Sequence, residues 1–470
     1  MPKVDTGPSL ELRVVVSSDA ATIKLRKLRS QMFYQRLVWC LCLLVLTSCG
    51  GQGSYSGPPS GTFVVNVTVS GLPINGTAQV VVQNNGVDSL SFINNGTQSF
   101  PYQQIGSGYN VSILTQPSPL NCVVSPATGS NPINVNVNCS EQFVYVTNYA
   151  SSKLSVLSVG AGGILTQLSL VSTGQNPTSV AVHPNGKFAY VSNYSSSTIS
   201  VYGIQNGTLS TPYSVATGAG PFKIVISPNG SYLYCVNINA GTVTEYAIAS
   251  GGGLTQVTGS PLTIGVGINS IAVDPTSSFV YVSGGLTNST VYEYQIQSNG
   301  SLSFLGSTTT GISAPTSVVV SPGGKFAYVI NSTANNASVF SIGAGGQLTF
   351  SSTAATGLVP HDIAFTPNGS YAYVTNYGGT LNPGTSLTQY QVNSSTGALS
   401  QMTNPTVTAG QTSSAGPYSI VVDAIGYSVF NSNYNESSIS QYVISSTGAL
   451  NVASPTFTTN ISSPTSIALH

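Results

Sequence analysis

A short pattern, Tyr-Val-Thr-Asn or a near relative, returns seven times along this chain and constrains its fold more than any other feature. It reads Tyr145-Val146-Thr147-Asn148, Tyr190-Val191-Ser192-Asn193, Tyr234-Cys235-Val236-Asn237, Tyr281-Val282-Ser283, Tyr328-Val329-Ile330-Asn331, Tyr373-Val374-Thr375-Asn376 and, degenerate, Phe430-Asn431-Ser432-Asn433. The leading aromatics step by 45, 44, 47, 47, 45 and 57 residues. A period in the middle forties with four short apolar runs per unit is the signature of propeller blades, because one four-stranded blade cannot bury both of its faces alone.

Residues 177–211 show how a unit parses. Pro177 to Val182 reads as an innermost strand, and Pro184-Asn185-Gly186 turns it. Lys187 to Val191 returns, Thr198 to Tyr202 alternates with period 2 as a third strand, and Gly207-Thr208-Leu209-Ser210 opens a fourth. The turn repeats at Pro228-Asn229-Gly230, Pro322-Gly323-Gly324 and Pro367-Asn368-Gly369, where proline presets φ and glycine accepts φ > 0. An independent count comes from Gly-x-Leu elements led by Gly163, Gly207, Gly252, Gly300, Gly346, Gly397 and Gly448, again seven.

The first unit opens at Phe143 without an inner strand, while Pro464-Thr465-Ser466-Ile467-Ala468-Leu469-His470 copies the inner strand from Pro177 to His183. One C-terminal strand added to three N-terminal ones predicts a closed ring without exposed strand edges. The expected fold is all-β, a seven-bladed β-propeller over 141–470 preceded by a small β-sandwich over 63–140.

The Tyr-Val-Thr-Asn units, the stretch from Pro184 to Val191 and the Gly-x-Leu elements resemble the seven-bladed lactonase-like propellers, which include 6-phosphogluconolactonase and the carboxy-muconate cyclising enzyme. The resemblance implies the fold and, as one function, hydrolysis of a sugar lactone. Enzymes of that family place His and Arg around the channel rim to hold carboxylate or phosphate groups. This chain keeps a His, His361, at a matching position, and has no Arg beyond Arg36.

Upstream, Leu37 to Leu46 is an apolar run preceded by Arg36 and followed by Thr47-Ser48-Cys49. It is too short to span a bilayer and suits a signal peptide. Leu46-Thr47-Ser48-Cys49 resembles a bacterial lipobox, so residues 1–49 are expected to be a leader ending at a lipidated Cys49, and the protein to be anchored in the cell envelope. Gly50 in place of an aspartate favours the outer membrane. Residues 50–62 read as a flexible tether.

From Phe63 to Cys139 strands alternate apolar and polar residues between Asn-Gly turns at Asn75, Asn85 and Asn95, as a sandwich requires. Cys122 and Cys139 are expected to pair in an oxidising compartment. Cys235 replaces a Val of the repeat and reads as a small buried hydrophobe.

After Cys49 the chain holds four lysines, no arginine and eight acidic residues, a net charge of −4. No basic patch exists to neutralise phosphates, which argues against nucleic-acid binding. No metal-ligand spacing, nucleophile elbow or phosphate-binding loop appears. Neither a metal nor another cofactor is expected, and the protein is expected to be a monomer.

Chemistry is expected where the inner strands start, because these rim one mouth of the channel. The converging pairs are Thr178-Ser179, Phe222-Lys223, Asn269-Ser270, Thr316-Ser317, His361-Asp362, Tyr418-Ser419 and Thr465-Ser466. Five second positions are Ser; the exceptions are Lys223 and Asp362, nearly opposite each other. One reading makes His361, oriented by the Asp362 carboxylate, a general base with Lys223 as oxyanion donor. The other makes Lys223 and Asp362 a charge pair that only satisfies a polar mouth. Hydroxyls and rings of Thr178, Asn269, Thr316, Phe222 and Tyr418 would then hold a neutral ligand. His183, Asp274 and Asp423 fall at turns remote from this mouth. From sequence alone the preferred function is an envelope-anchored propeller binding a glycan, peptide or envelope protein, with lactone hydrolysis as the alternative.

Overall fold

The computed structural model describes Pro59 and residues 61–470, apart from 73–78, 116–119, 126, 130–133, 161–162, 285–288, 379–382, 413 and 459. The leader, Cys49, most of the tether and the turn at Asn75 lie outside the described residues.

Between Asn66 and Glu141 two four-stranded sheets enclose one apolar core. Asn66–Ser70 shows why: Val67 and Val69 are buried while Asn66, Thr68 and Ser70 are not, the period of a half-buried strand. In one sheet Asn134–Glu141 runs parallel to Asn66–Ser70 and antiparallel to Leu120–Ser125. Cys122 and Cys139 face each other across that second pairing and are disulfide-bonded. In the other sheet Val80–Asn84 turns into Asp88–Phe92 through Asn85, Gly86 and Val87, the first two at positive φ and Val87 N donating to Asn84 O.

Only Gln142 separates this part from the first propeller strand, Phe143–Asn148. Seven antiparallel sheets follow, and their inner strands succeed one another in a closed cycle. The inner strands Pro177–Val182, Pro221–Ile226, Ile268–Val273, Pro315–Val320, Pro360–Phe365, Pro417–Val422 and Pro464–Leu469 define blades 1 to 7. Blade 7 combines Pro464–Leu469 with Phe143–Asn148, Lys153–Val159 and Leu165–Ser172. In blade 1 the outer edge is split, Thr208–Leu209 and Tyr213–Ala216 both pairing with Thr198–Gln205. The Gly-x-Leu element there forms only the first, short piece.

Blades bind one another through their repeat residues. The seam between blades 1 and 2, for example, buries Tyr190, Ile199 and Val201 against Ile224, Leu233 and Cys235. Five repeat tyrosines also send their hydroxyl across a seam to the glycine that leads the next Gly-x-Leu element, as Tyr190 Oη does to Gly252 O at 2.9 Å. That glycine must be glycine: Gly252 has φ +78°, and a Cβ there would lie 2.2 Å from the Phe188 ring. The ring closure departs from this rule. Tyr145 Oη is buried without a partner among the described residues, and Phe430 has no hydroxyl to offer.

Each inner strand is entered through a left-handed residue: Asn176, Gly220, Gly267, Ala314, Val359, Gly416 and Ser463 all have positive φ. In six blades the carbonyl of this residue accepts the N–H of the residue that follows the repeat asparagine, for instance Tyr194 N to Asn176 O. The start of the first strand and the end of the second are thereby fixed together at one mouth of the channel.

Candidate functional site

The seven pairs at the starts of the inner strands converge as their register requires, and one open recess is lined by Thr178, Phe222, Lys223, Asn269, Thr316, His361, Asp362 and Tyr418, among others. Most of their polar atoms serve the ring itself. Thr178 Oγ1 donates to Pro221 O at 2.9 Å, Thr316 Oγ1 to Pro360 O at 3.0 Å and Thr465 Oγ1 to Pro177 O at 2.9 Å, each reaching the next blade. Asn269 Nδ2 donates in the same way to Pro315 O. The serines work in the same direction as acceptors: Ser466, Ser179 and Ser270 take the N–H of Val180, Ile224 and Val318. The expectation that Thr178 and Thr316 offer their donors to a ligand is therefore corrected, because their hydroxyl hydrogens are spent on inter-blade carbonyls, while Asn269 keeps its second amide N–H.

Three residues depart from this scheme. Asp362 replaces the serine and accepts four donors: Ser317 Oγ at 2.9 Å and Ile363 N at 3.0 Å on one oxygen, Ser419 Oγ at 3.4 Å and Ile420 N at 3.5 Å on the other. Lys223 brings an ammonium where a serine would close the seam, and it makes no hydrogen bond or ion pair among the described residues. The expected Lys223–Asp362 pair does not form, since the buried carboxylate is already saturated by neutral donors of its neighbours. His361 is not oriented by Asp362 either. Adjacent strand residues face opposite ways, and the imidazole instead donates Nδ1–H to Tyr418 O at 2.9 Å, the only role open opposite a carbonyl.

That bond fixes the tautomer and leaves Nε2 as a free acceptor on the recess wall. Burial dominates its ionisation and pulls the pKa down to about 4; Asp362 and the Tyr418 carbonyl oppose that effect, and Lys223 reinforces it. His361 is thus a neutral base at ordinary pH. It stacks on Tyr418 with ring centroids 3.6 Å apart.

The recess itself is narrow. Its cavity volume of ≈ 30 Å³ holds about two waters, so a sugar ring would rest across the rim rather than within it. Around His361 and Tyr418 the rim carries Tyr377, Tyr434 and Tyr149, which inspection of the strand-starting pairs does not find. All three, with Tyr194, occupy the position after the repeat asparagine, so a wider reading of the repeat would have found them.

The remaining candidates fall elsewhere. His183 sits beyond the far end of its strand and bonds Gly230 O through Nε2. Asp274 and Asp423 cap their turns by accepting backbone N–H groups, Asp423 with its pKa pushed up by burial to about 6. Cys235 is free and wholly buried, burial pushing its thiol up to about 12. Among the described residues no group of three or more His, Cys, Asp or Glu is placed to hold a metal.

Comparison with known proteins agrees with this architecture. Solved structures with the same fold include a Bacteroides fragilis protein provisionally assigned as a 6-phosphogluconolactonase, at 20% identity and a TM-score of 0.61, covering 70% of this chain and 98% of that one. Another is the periplasmic gluconolactonase of Pseudomonas aeruginosa, at 18% identity and a TM-score of 0.60, covering 70% and 99%. No curated protein matches the sequence. The family described as "Lactonase, 7-bladed beta-propeller" matches over residues 109–413 and 343–467. With that match over most of its length, and with seven blades closed around one mouth, the chain belongs to the seven-bladed β-propeller lactonase family.

Proposed function

We propose that this protein hydrolyses an uncharged sugar lactone at the mouth of an envelope-anchored propeller. This reverses the order in which the sequence alone ranks hydrolase and binding module. The observation that carries it is His361, a neutral imidazole held by Tyr418 O with Nε2 unoccupied among the described residues, in a recess whose lining also includes a lysine without a hydrogen bond or ion pair there. Membership of the family supports the reaction class, and the likeness to a periplasmic gluconolactonase supports both substrate class and compartment. The apolar run before Cys49 and the disulfide between Cys122 and Cys139 support export and a lipid anchor.

In the proposed reaction His361 Nε2 takes a proton from water as its oxygen attacks the lactone carbonyl. The Lys223 ammonium stabilises the oxyanion of the tetrahedral intermediate. Collapse breaks the ring C–O bond, and the imidazolium returns its proton to the departing alkoxide, leaving the open-chain hydroxy acid. A phosphorylated lactone is a poorer substrate here. Bidentate anion clamping needs Arg, and no Arg follows Arg36.

The test is turnover of δ-gluconolactone and of its 6-phosphate, measured above spontaneous hydrolysis. The free sugar lactone should be preferred, and His361→Ala should lower kcat/KM by about 10²–10⁴. Because only the neutral imidazole accepts a proton, kcat/KM should rise through about pH 4 and stay level to neutrality, following the lowered pKa of His361. Rates equal to the uncatalysed reaction for both lactones would return the protein to the binding class.

A further inference from the structure

The residue after the repeat asparagine is tyrosine in blades 1, 5, 6 and 7, as Tyr194, Tyr377, Tyr434 and Tyr149. In blades 2 and 4 the same position holds Ile238 and Ser332. The four aromatic blades are consecutive around the closed ring, so the rings gather on one side of the mouth. Tyr418 and His361 join them from the inner strands. Centroids step 6.5 Å from Tyr149 to Tyr434, 5.7 Å to Tyr418, and 6.0 Å from Tyr418 to Tyr377. Tyr194 lies close enough to Tyr149 to disfavour its ionisation.

These rings are not core. The seam tyrosines are buried and hydrogen-bonded, as Tyr190 and Tyr234 are, whereas Tyr149, Tyr418 and Tyr434 are only partly covered and their hydroxyls have no partner among the described residues. The Tyr377 hydroxyl donates to Asn435 Oδ1 at 3.2 Å, and the other three rings combine partly exposed faces with open hydroxyls, which asks for a ligand that offers both apolar faces and hydrogen-bonding groups. We propose that this arc is a subsite for a neutral oligosaccharide lying along the rim from Tyr377 towards Tyr149. Pyranose C–H faces meet the negative ring faces, and sugar hydroxyls meet the free phenols. An arc that crosses three blades is longer than one sugar ring, so several units are engaged.

A cationic ligand fits less well. Asp362 is saturated, Lys223 stands unpaired at the same mouth, and Glu436, two residues after Tyr434, holds the N–H groups of Gln411 and Thr412. An anionic one lacks arginine. The inference does not depend on turnover at His361, since the arc is read by equilibrium binding.

Calorimetric titration of the full chain with glucose, cello- and malto-oligosaccharides of two to four units, and choline tests it. Affinity should rise at least about tenfold from the monosaccharide to the best tetrasaccharide. Tyr434→Leu and Tyr149→Leu, which keep apolar bulk but remove the ring, should each lose most of that gain, and Tyr149→Phe, which keeps the ring face but not the phenol, should lose a smaller part of it. Equal affinity for monomer and tetramer, binding of choline in preference to every sugar, no sugar binding at all, or unchanged affinity in Tyr149→Leu would each overturn the proposal. Absent lactone hydrolysis with intact oligosaccharide binding would sink only the hydrolase reading.

Discussion

Tyr190 and Tyr194 stand four residues apart in blade 1 and meet opposite surroundings. Tyr190 is buried in the seam to blade 2 with its hydroxyl on Gly252 O, while Tyr194 is partly exposed at the mouth with its hydroxyl on Asn239 Oδ1. The seams are built where the blades agree: aromatic, glycine and serine recur because each must satisfy the same neighbour on the next blade. The mouth is built where they disagree. His361 and Asp362 replace residues that close the ring in other blades and still bond the next blade, whereas the Lys223 and Tyr418 side chains make no seam bond among the described residues, which calls for another reason for them to be there.

Asp362 lies on the border of the two regions and provides the most severe test. If its carboxylate works mainly as a seam acceptor, Asp362→Ala strands the N–H of Ile420 and the hydroxyls of Ser317 and Ser419 in a buried site. Loss of about 2–3 kcal/mol in denaturant unfolding is expected. Asp362→Ser installs the residue used by five other blades and should recover most of that stability. An Asp362→Ser protein as unstable as the alanine variant would show that the seam and the mouth cannot be separated at this position.

The seams were legible in the sequence because seven copies of one pattern expose which positions must repeat. The tyrosine and the Gly-x-Leu glycine even count the blades twice, and the structure shows that they bond to each other across a seam. The strand-starting pairs were legible for the same reason. What sets His361, however, is a backbone carbonyl, and a carbonyl has no side-chain signature. The aromatic arc lies one residue beyond the repeat asparagine, at a position where blades 2 and 4 carry Ile238 and Ser332 instead of tyrosine, so recurrence does not mark it. In the sandwich, alternation revealed the strands, but the parallel pairing of Asn134–Glu141 with Asn66–Ser70 joins segments too distant in sequence for any turn to announce it.

A smaller effect sharpens the account of the seams. Tyr190→Phe removes a buried hydrogen bond and leaves Gly252 O unpaired, so a cost of about 1 kcal/mol is expected. Tyr145→Phe removes a buried hydroxyl that has no partner and should be neutral or slightly stabilising. Blade 6 already carries Phe430 at this position. Equal losses in the two variants, measured by urea unfolding, would mean that the hydroxyl interlock does not distinguish the seams.

The smallest effect concerns a charge hidden in the seam between blades 2 and 3. Glu245 is buried and its Oε1 accepts Leu302 N at 2.9 Å. In the seams between blades 5 and 6 and between blades 6 and 7, Gln389 and Gln441 do the same for Leu450 N and Leu165 N at 2.7 Å. Only the glutamate changes charge with pH. Burial raises its pKa above the ordinary glutamate value, with the Leu302 and Ser260 hydrogen bonds opposing. A carboxyl whose folded pKa is raised binds its proton more tightly in the native state. Its contribution is therefore complete below the unfolded pKa and is lost as pH rises through the folded one. Glu245→Gln keeps the acceptor and can donate to Ser260 Oγ, so it should raise the melting temperature at neutral pH while leaving it unchanged near about pH 4. A variant destabilised at both pH values would show that the blade 2 seam requires the carboxylate itself, and that its likeness to the glutamine seams is one of position alone.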